Sequence, residues 1–208
     1  MNAIEKSEPK PQILEGRKLT ERRWLNLYEV SYAAPDGSKK QWQLATRGET
    51  PKCLSGAFSR PDAVVIVPFH VQRGQMVVTR EYRLPLADVE YGFPAGLIDP
   101  EETPVQAAAR ELKEETGLDT VRVVHVGPPV YSSAGMTDES VAMVYVECGG
   151  FPSTAGNQGV EQIEVLFVGP EKARRLCDSA AVKFDAKAWL VLTVYGKTGE
   201  PWSFFDAP

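Results

Sequence analysis

Apolar and polar side chains alternate along residues 24–32 (WLNLYEVSY) and again along residues 40–45 (KQWQLA). Such period-two runs suit half-buried strands, and Pro35-Asp36-Gly37 between them supplies a turn through fixed and left-handed backbone geometry. The pair predicts an antiparallel hairpin. From Pro61 onward the apolar runs tighten, at residues 63–69 and 76–79 with Arg73-Gly74 as a turn between them. Residues 121–126, 141–146 and 163–168, rich in β-branched side chains, predict further strands. Helical spacing marks residues 104–116 and 181–195, the latter through Phe184, Ala188, Leu192 and Tyr195. Pro170 and Glu171 suit the first turn of a shorter helix over 170–177. Strands with few helices between them predict an α/β (α+β) fold, a mixed β-sheet sandwiched between helices, with an N-terminal antiparallel β-hairpin subdomain. The expected division is a disordered tail at 1–11, rich in Lys, Glu and Pro, a β subdomain at 12–58 and a main domain at 59–208.

The helix at 104–116 is the most sharply marked element. Thr103 as N-cap and Gln106 three residues on form a capping box, Pro104 occupies the first helical position, and Gly117 suits the residue past the end. Val105, Ala109 and Leu112 predict one buried stripe, while Glu111, Glu114 and Glu115 fall at i, i+3 and i+4 on another face. Like charges at that spacing cost a few tenths of a kcal/mol each. Carboxylates near a helix C-terminus also oppose the macrodipole. A solvated acidic face accounts for the pattern without function; a bound divalent cation would offset both penalties, and carboxylate oxygen is what Mg²⁺ or Mn²⁺ prefers.

Charge and composition narrow the partners. The 208-residue chain is 43% hydrophobic and 25% charged, average for a globular protein. Its net charge of -5 and pI near 5.2 argue against reading a nucleic acid along its backbone. Cys53, Cys148 and Cys177 have no metal-ligand spacing and predict reduced thiols. The charged, proline-bearing start lacks a signal peptide's apolar stretch, and no long apolar run occurs, so a cytoplasmic protein with no membrane partner is expected.

Gly96, then Glu102, then Arg110-Glu111-Leu112-Lys113-Glu114-Glu115-Thr116-Gly117-Leu118 resembles the complete signature of the Nudix hydrolases. The resemblance implies a loop-helix-loop in which Glu111 and Glu115 bind Mg²⁺ (or Mn²⁺) together with the backbone carbonyl of Ala95. It implies that Glu114 assists, that Arg110 orients the glutamates, and that Glu102 anchors the loop.

Residues flanking the signature bear on the substrate. Residues 93–99 (FPAGLID) and Glu81-Tyr82-Arg83 resemble the ADP-ribose and ADP-sugar pyrophosphatases, which implies that Arg83 contacts substrate phosphate. The spacing of Trp24, Trp42 and Arg47 resembles the same group. There two tryptophans from different subunits grip the adenine, which implies a homodimer with exchanged hairpins and stacking worth about 1–3 kcal/mol per base. Without function, Trp24 and Trp42 would be core residues of a sheet face and Arg83 a strand-end surface arginine. The resemblance also implies a mobile loop after the signature, here residues 132–140, that brings Met136 toward substrate; the segment departs from the group's pattern at Ala134 and carries Asp138 and Glu139. The resemblance to the ADP-sugar group implies Glu161, ahead of the strand at 163–168, as the catalytic base, while Glu164 is expected to face solvent. The implied reaction is hydrolysis of a nucleoside-diphosphate sugar, ADP-ribose foremost, to AMP and ribose 5-phosphate. GDP-mannose or another nucleotide sugar, a nucleoside triphosphate, and a non-catalytic ligand sensor remain open.

Overall fold

The computed structural model describes residues 9–153, 155, 163–203 and 205. The chain forms two compact units, the first from residues 1–61 and 129–141, the second from 62–128 and 142–208.

In the first unit, β2 (Asn26–Ala33) and β3 (Lys39–Thr46) are the expected hairpin, antiparallel with Val30 opposite Trp42. Gly37 takes φ 81° in the turn, and Asp36 accepts hydrogen bonds from the amide and hydroxyl of Ser38. A third strand, β1 (Gln12–Lys18), pairs antiparallel with β2. Its side chains are exposed throughout, so it carries no alternation. A single helical turn, α1 (Lys52–Ser55), ends in Gly56 at φ 74°. Residues 9–11 of the expected tail are exposed coil.

The second unit is built on a mixed sheet. Strands β4 (Ala63–His70) and β5 (Gln75–Arg83) contain the two predicted apolar runs, and a 3-10 turn at Leu84–Leu86 leads to β6 (Asp88–Gly92) and the short β7 (Ala95–Leu97). After helix α2 (Pro104–Thr116) come β8 (Asp119–Tyr131), β9 (Ser140–Gly149), β10 (Ile163–Val168), α3 (Pro170–Cys177), β11 (Lys183–Phe184) and α4 (Ala186–Thr198). The strand order is β11-β6-β5-β4-β9-β8, with β10 also on β5 and β7 also on β4. β11 runs parallel to β6, while β5 is antiparallel to β4, β6 and β10. Helix α2 packs on β4 and β7, α3 on α4, and α4 on β6. No helix among the described residues is long and apolar enough to cross a membrane.

Two sequence expectations shift. The last helix begins at Ala186, because Phe184 belongs to β11 and the Asp185 carboxylate accepts from the amides of Lys187 and Ala188 and starts the helix there. In α2 the buried residues are Ala107, Ala108, Leu112 and Thr116, whereas Val105 is 39% exposed and Ala109 half-buried. Alanines at 107 and 108 let the helix approach the sheet closely, and its buried arc rotates toward the side bearing Glu111 and Glu115. Ala107, Ala108 and Leu112 join Val64, Ile66, Val77, Leu118, Val144 and Val146 in one core.

Candidate functional site

Both ends of α2 are fixed locally. Thr103 Oγ1 accepts from the Gln106 amide at 3.3 Å, Gln106 Oε1 accepts from the Thr103 amide at 2.9 Å, and Gly117 at φ 74° closes the last turn. With those ends set and Leu112 in the core, Glu111 and Glu115 lie half-buried, one turn apart.

Arg110 organises this face. Its Nε and Nη2 donate to the two oxygens of Glu102, each at 2.8 Å, in a bidentate fork. Nη2 also donates to the Leu97 carbonyl at 3.0 Å, and Nη1 donates to Glu111 at 2.7 Å and to Glu114 at 3.4 Å. Glu102 in turn accepts from the Asp99 amide at 3.1 Å. One guanidinium therefore ties the loop after β7, through Leu97 and Glu102, to two helix carboxylates. The hydrogen bonds from Arg110 hold the Glu102 carboxyl down at about 2. The hydrogen bonds that Arg110 donates to Glu102, and then to Glu111, raise it above its usual range.

Gly96 has a steric reason to be glycine. A Cβ there would overlap the Glu111 carboxylate, whose more distant oxygen, Oε2, would still lie only 2.6 Å away. Register pairs Gly96 with Val64 and Ala95 with Val65, so a paired strand backbone lies directly against the acidic side chain. Glu111, Glu114 and Glu115 offer carboxylate oxygen and Ala95 a carbonyl, which suits a hard divalent cation by donor type. Among the described residues no group of three or more His, Cys, Asp or Glu is gathered to hold an ion; the spacing is that of an ion-pair cluster centred on Arg110.

The other expected positions lie elsewhere. Arg83, at the end of β5, pairs with Glu81 at 3.1 Å and with Glu90 of β6 at 3.4 Å. Glu81 and Glu90 face each other across the β5-β6 ladder, and carboxylates so placed repel unless a cation bridges them. The sequence gives neither glutamate a role of its own, since their apposition depends on strand register. In the first unit Trp42 lines a cavity of about 450 Å³, and Met136 is tied to the same strand by its carbonyl, which accepts from the Ala45 amide at 2.8 Å. Arg47 donates to Glu139 at 2.7 Å. Trp24 precedes β2 and does not line that cavity; the Arg23 guanidinium sits 4.3 Å from the centre of its ring. Trp24 and Trp42 are 64% and 50% exposed, so neither is a core residue. Glu161 lies outside the described residues. Glu164 is exposed and accepts from Arg80 at 2.8 Å. Cys53, Cys148 and Cys177 are free, and burial pushes the Cys148 thiol up to about 12.

Comparison with known proteins supplies independent findings. A family model described as the NUDIX domain matches residues 59–190. A nudix hydrolase of Caenorhabditis elegans is 33% identical over 153 residues, which cover 70% of this chain and 66% of the relative. The ADP-ribose pyrophosphatase of Saccharomyces cerevisiae is 28% identical over 150 residues, covering 71% and 64%. The ADP-sugar pyrophosphatase of Mus musculus is 29% identical over 159 residues, covering 74% and 68%. The chain thus spans just under two thirds of the length of the worm and yeast relatives. A crystal structure of an ADP compounds hydrolase shares the fold, with a TM-score of 0.67 over 94% of this chain and 99% of that one, at 22% identity.

Proposed function

The chain belongs to the Nudix family, its domain covering residues 59–190, and we propose that it hydrolyses the diphosphate bond of a nucleoside-diphosphate sugar, with ADP-ribose giving AMP and ribose 5-phosphate. The observation that carries this is the Glu111 carboxylate set against the Cβ-less Gly96 and held by Arg110, with Glu115 one helical turn further on. The names of the yeast and mouse relatives support the substrate class.

Nudix hydrolases generally use a divalent metal ion. In this chain we assign Mg²⁺ or Mn²⁺ to Glu111, Glu115 and the Ala95 carbonyl, with Glu114 assisting; the ion would neutralise diphosphate charge and lower the pKa of the attacking water. Arg110 keeps the glutamate side chains in one arrangement, which removes rotamer freedom before substrate arrives. Arg83 receives a phosphate oxygen, its guanidinium already oriented by Glu81 and Glu90. Trp24 and Trp42 stack on the nucleobase, from two protomers of a homodimer, with Arg47 and Met136 as further substrate contacts. Their exposure supports this, because large indoles left in water favour a covering ligand or partner. Glu161 takes the water's proton.

Incubation with ADP-ribose and Mg²⁺ should release AMP and ribose 5-phosphate in equal amounts. Absence of turnover on ADP-ribose and on a panel of other nucleotide sugars would defeat the proposal. Light scattering should give twice the chain mass, and a monomer at working concentration would remove the two-protomer stacking model.

A further inference from the structure

Lys52 is a charged residue that no step of the hydrolysis uses, yet it is only 8% exposed. Its Nζ donates to Ser140 Oγ at 2.7 Å, and its backbone amide donates to Asp138 Oδ2 at 2.7 Å. Ser140 is fully buried. Asp138 lies in the segment Ser132–Ser140, which Arg47 also grips through Glu139 and which Ala45 joins through the Met136 carbonyl. A parallel bridge between Ala45 and Thr137 adds a further tie. The two acidic residues that set this loop apart from the pyrophosphatase pattern are thus turned to the protein's own cation and amide, and the loop is fastened to the sheet of its own unit at successive points.

That fastening sets the shape of a cavity. Tyr32, Trp42 and Leu44 form its sheet side, while Ala134, Thr137 and Asp138 of the loop form another part of its lining. Lys52 is not among the lining residues. A buried ammonium is stable only while its hydrogen bonds are made, so letting the loop go would take the Ser140 hydrogen bond from Lys52.

We infer that Lys52 is a positioning residue for the nucleobase end of the substrate: through Ser140 and Asp138 it fixes the loop wall of the Trp42 cavity, without touching substrate itself. The inference rests on the reading of Trp42 as a base-stacking residue. Lys52→Met keeps the volume and removes the ammonium. It should raise KM for ADP-ribose and the dissociation constant of AMP roughly tenfold while kcat stays within twofold. Asp138→Ala should do the same, and Asp138→Asn, which keeps an oxygen acceptor for the Lys52 amide, should stay near the parent values. The Asp138 pair keeps the inference testable if Lys52→Met fails to fold. Unchanged KM and AMP affinity in Lys52→Met and Asp138→Ala, or a loss confined to kcat, would overturn it. Trp42→Ala separates the two readings. If it raises KM while Lys52→Met does not, only the positioning role fails; if it leaves KM unchanged, the base-stacking reading fails and takes this one with it.

Discussion

Replacing Gly96 with alanine puts a methyl group where the Glu111 carboxylate now lies. Oε2 would stand 2.6 Å from the new carbon, with Oε1 and the carboxyl carbon nearer still, against an ordinary contact of about 3.5 Å, so the carboxylate must retreat by more than about 1 Å. The obstructing atoms belong to the far end of a flexible side chain, and Gly96 has no left-handed backbone requirement, so the fold itself can accept the change. Retreat sacrifices the 2.7 Å bond from Arg110, worth roughly 1.5–3 kcal/mol for a charged pair. That loss is reduced because Arg110 keeps its fork to Glu102. Alanine also recovers about 0.5–1 kcal/mol of backbone entropy in a strand. The net destabilisation should be about 1 kcal/mol, lowering Tm by about 2–4 °C in a chain of this size. Activity should respond very differently, since a displacement of about 1 Å at a reacting centre costs on the order of 100-fold. Gly96→Ala should therefore lose roughly two orders of magnitude in kcat on ADP-ribose while its melting curve barely moves. A kcat within threefold of the parent would refute the placement of Glu111 at the reacting centre. A fall in Tm of more than about 10 °C would refute the argument that only a side-chain end must give way.

Glu115→Gln should reduce turnover by at least about 100-fold with little change in Tm, since the side chain is only half-buried; retained activity in steady-state assays would remove Glu115 from the metal set. The Glu102 carboxyl, held at about 2 against an ordinary 4.5, is ionised more readily in the folded chain, so its contribution is full above pH 4.5 and fades as pH falls toward 2. Melting curves should show the parent's advantage over Glu102→Gln shrinking across that window, and an advantage that grew on acidification would contradict the pairing. Trp202 stands edge-on to Phe69 and Tyr145, with centroids 6.0 and 6.3 Å away. Strand alternation puts those two rings on the face opposite Ile66 and Val144 of the α2 core. Trp202→Ala should cost about 1–3 kcal/mol in denaturant unfolding and leave kcat/KM unchanged.

How much could be read from the chain depended on how local each signal was. Helix α2 was legible to the residue because its cap, first proline and terminal glycine lie within fifteen or so positions and act through the nearest backbone. The three glutamates were legible for the same reason, being spaced by one helical turn. β1 was not, since every position of Gln12–Lys18 is exposed and its pairing with β2 is made by backbone hydrogen bonds that leave no hydrophobic period. Val105 misled because periodicity locates a stripe but not where along the helix the sheet begins. The grip of Arg47 on Glu139 and of Lys52 on Asp138 joins residues 92 and 86 positions apart; only the folded chain brings them together. Glu81 and Glu90 became partners of Arg83 through register, which a shift of one residue would have undone.

The charge of the α2 region sets a condition on any substrate. Glu102, Glu111 and Glu114 pair with a single guanidinium, and Glu115 follows one helical turn after Glu111, in a chain that already carries a net charge of -5. Arg110 spends its donors on Glu102, Glu111, Glu114 and the Leu97 carbonyl, which leaves the acidic surplus in place rather than offering a cation to phosphate. A diphosphate approaching this face alone would be repelled, and a divalent ion shared between carboxylate and phosphate oxygens reverses the sign. Dependence on a cation therefore follows from the charge count as much as from family membership. Charge on this face acts on the diphosphate and is indifferent to the base. On the proposed reading the base is held at the Trp42 cavity of the first unit, where stacking accepts any base and discrimination needs hydrogen bonds beside it. Substitutions there should change which nucleotide sugar is preferred, through KM, while substitutions around Arg110 should lower kcat for all of them alike.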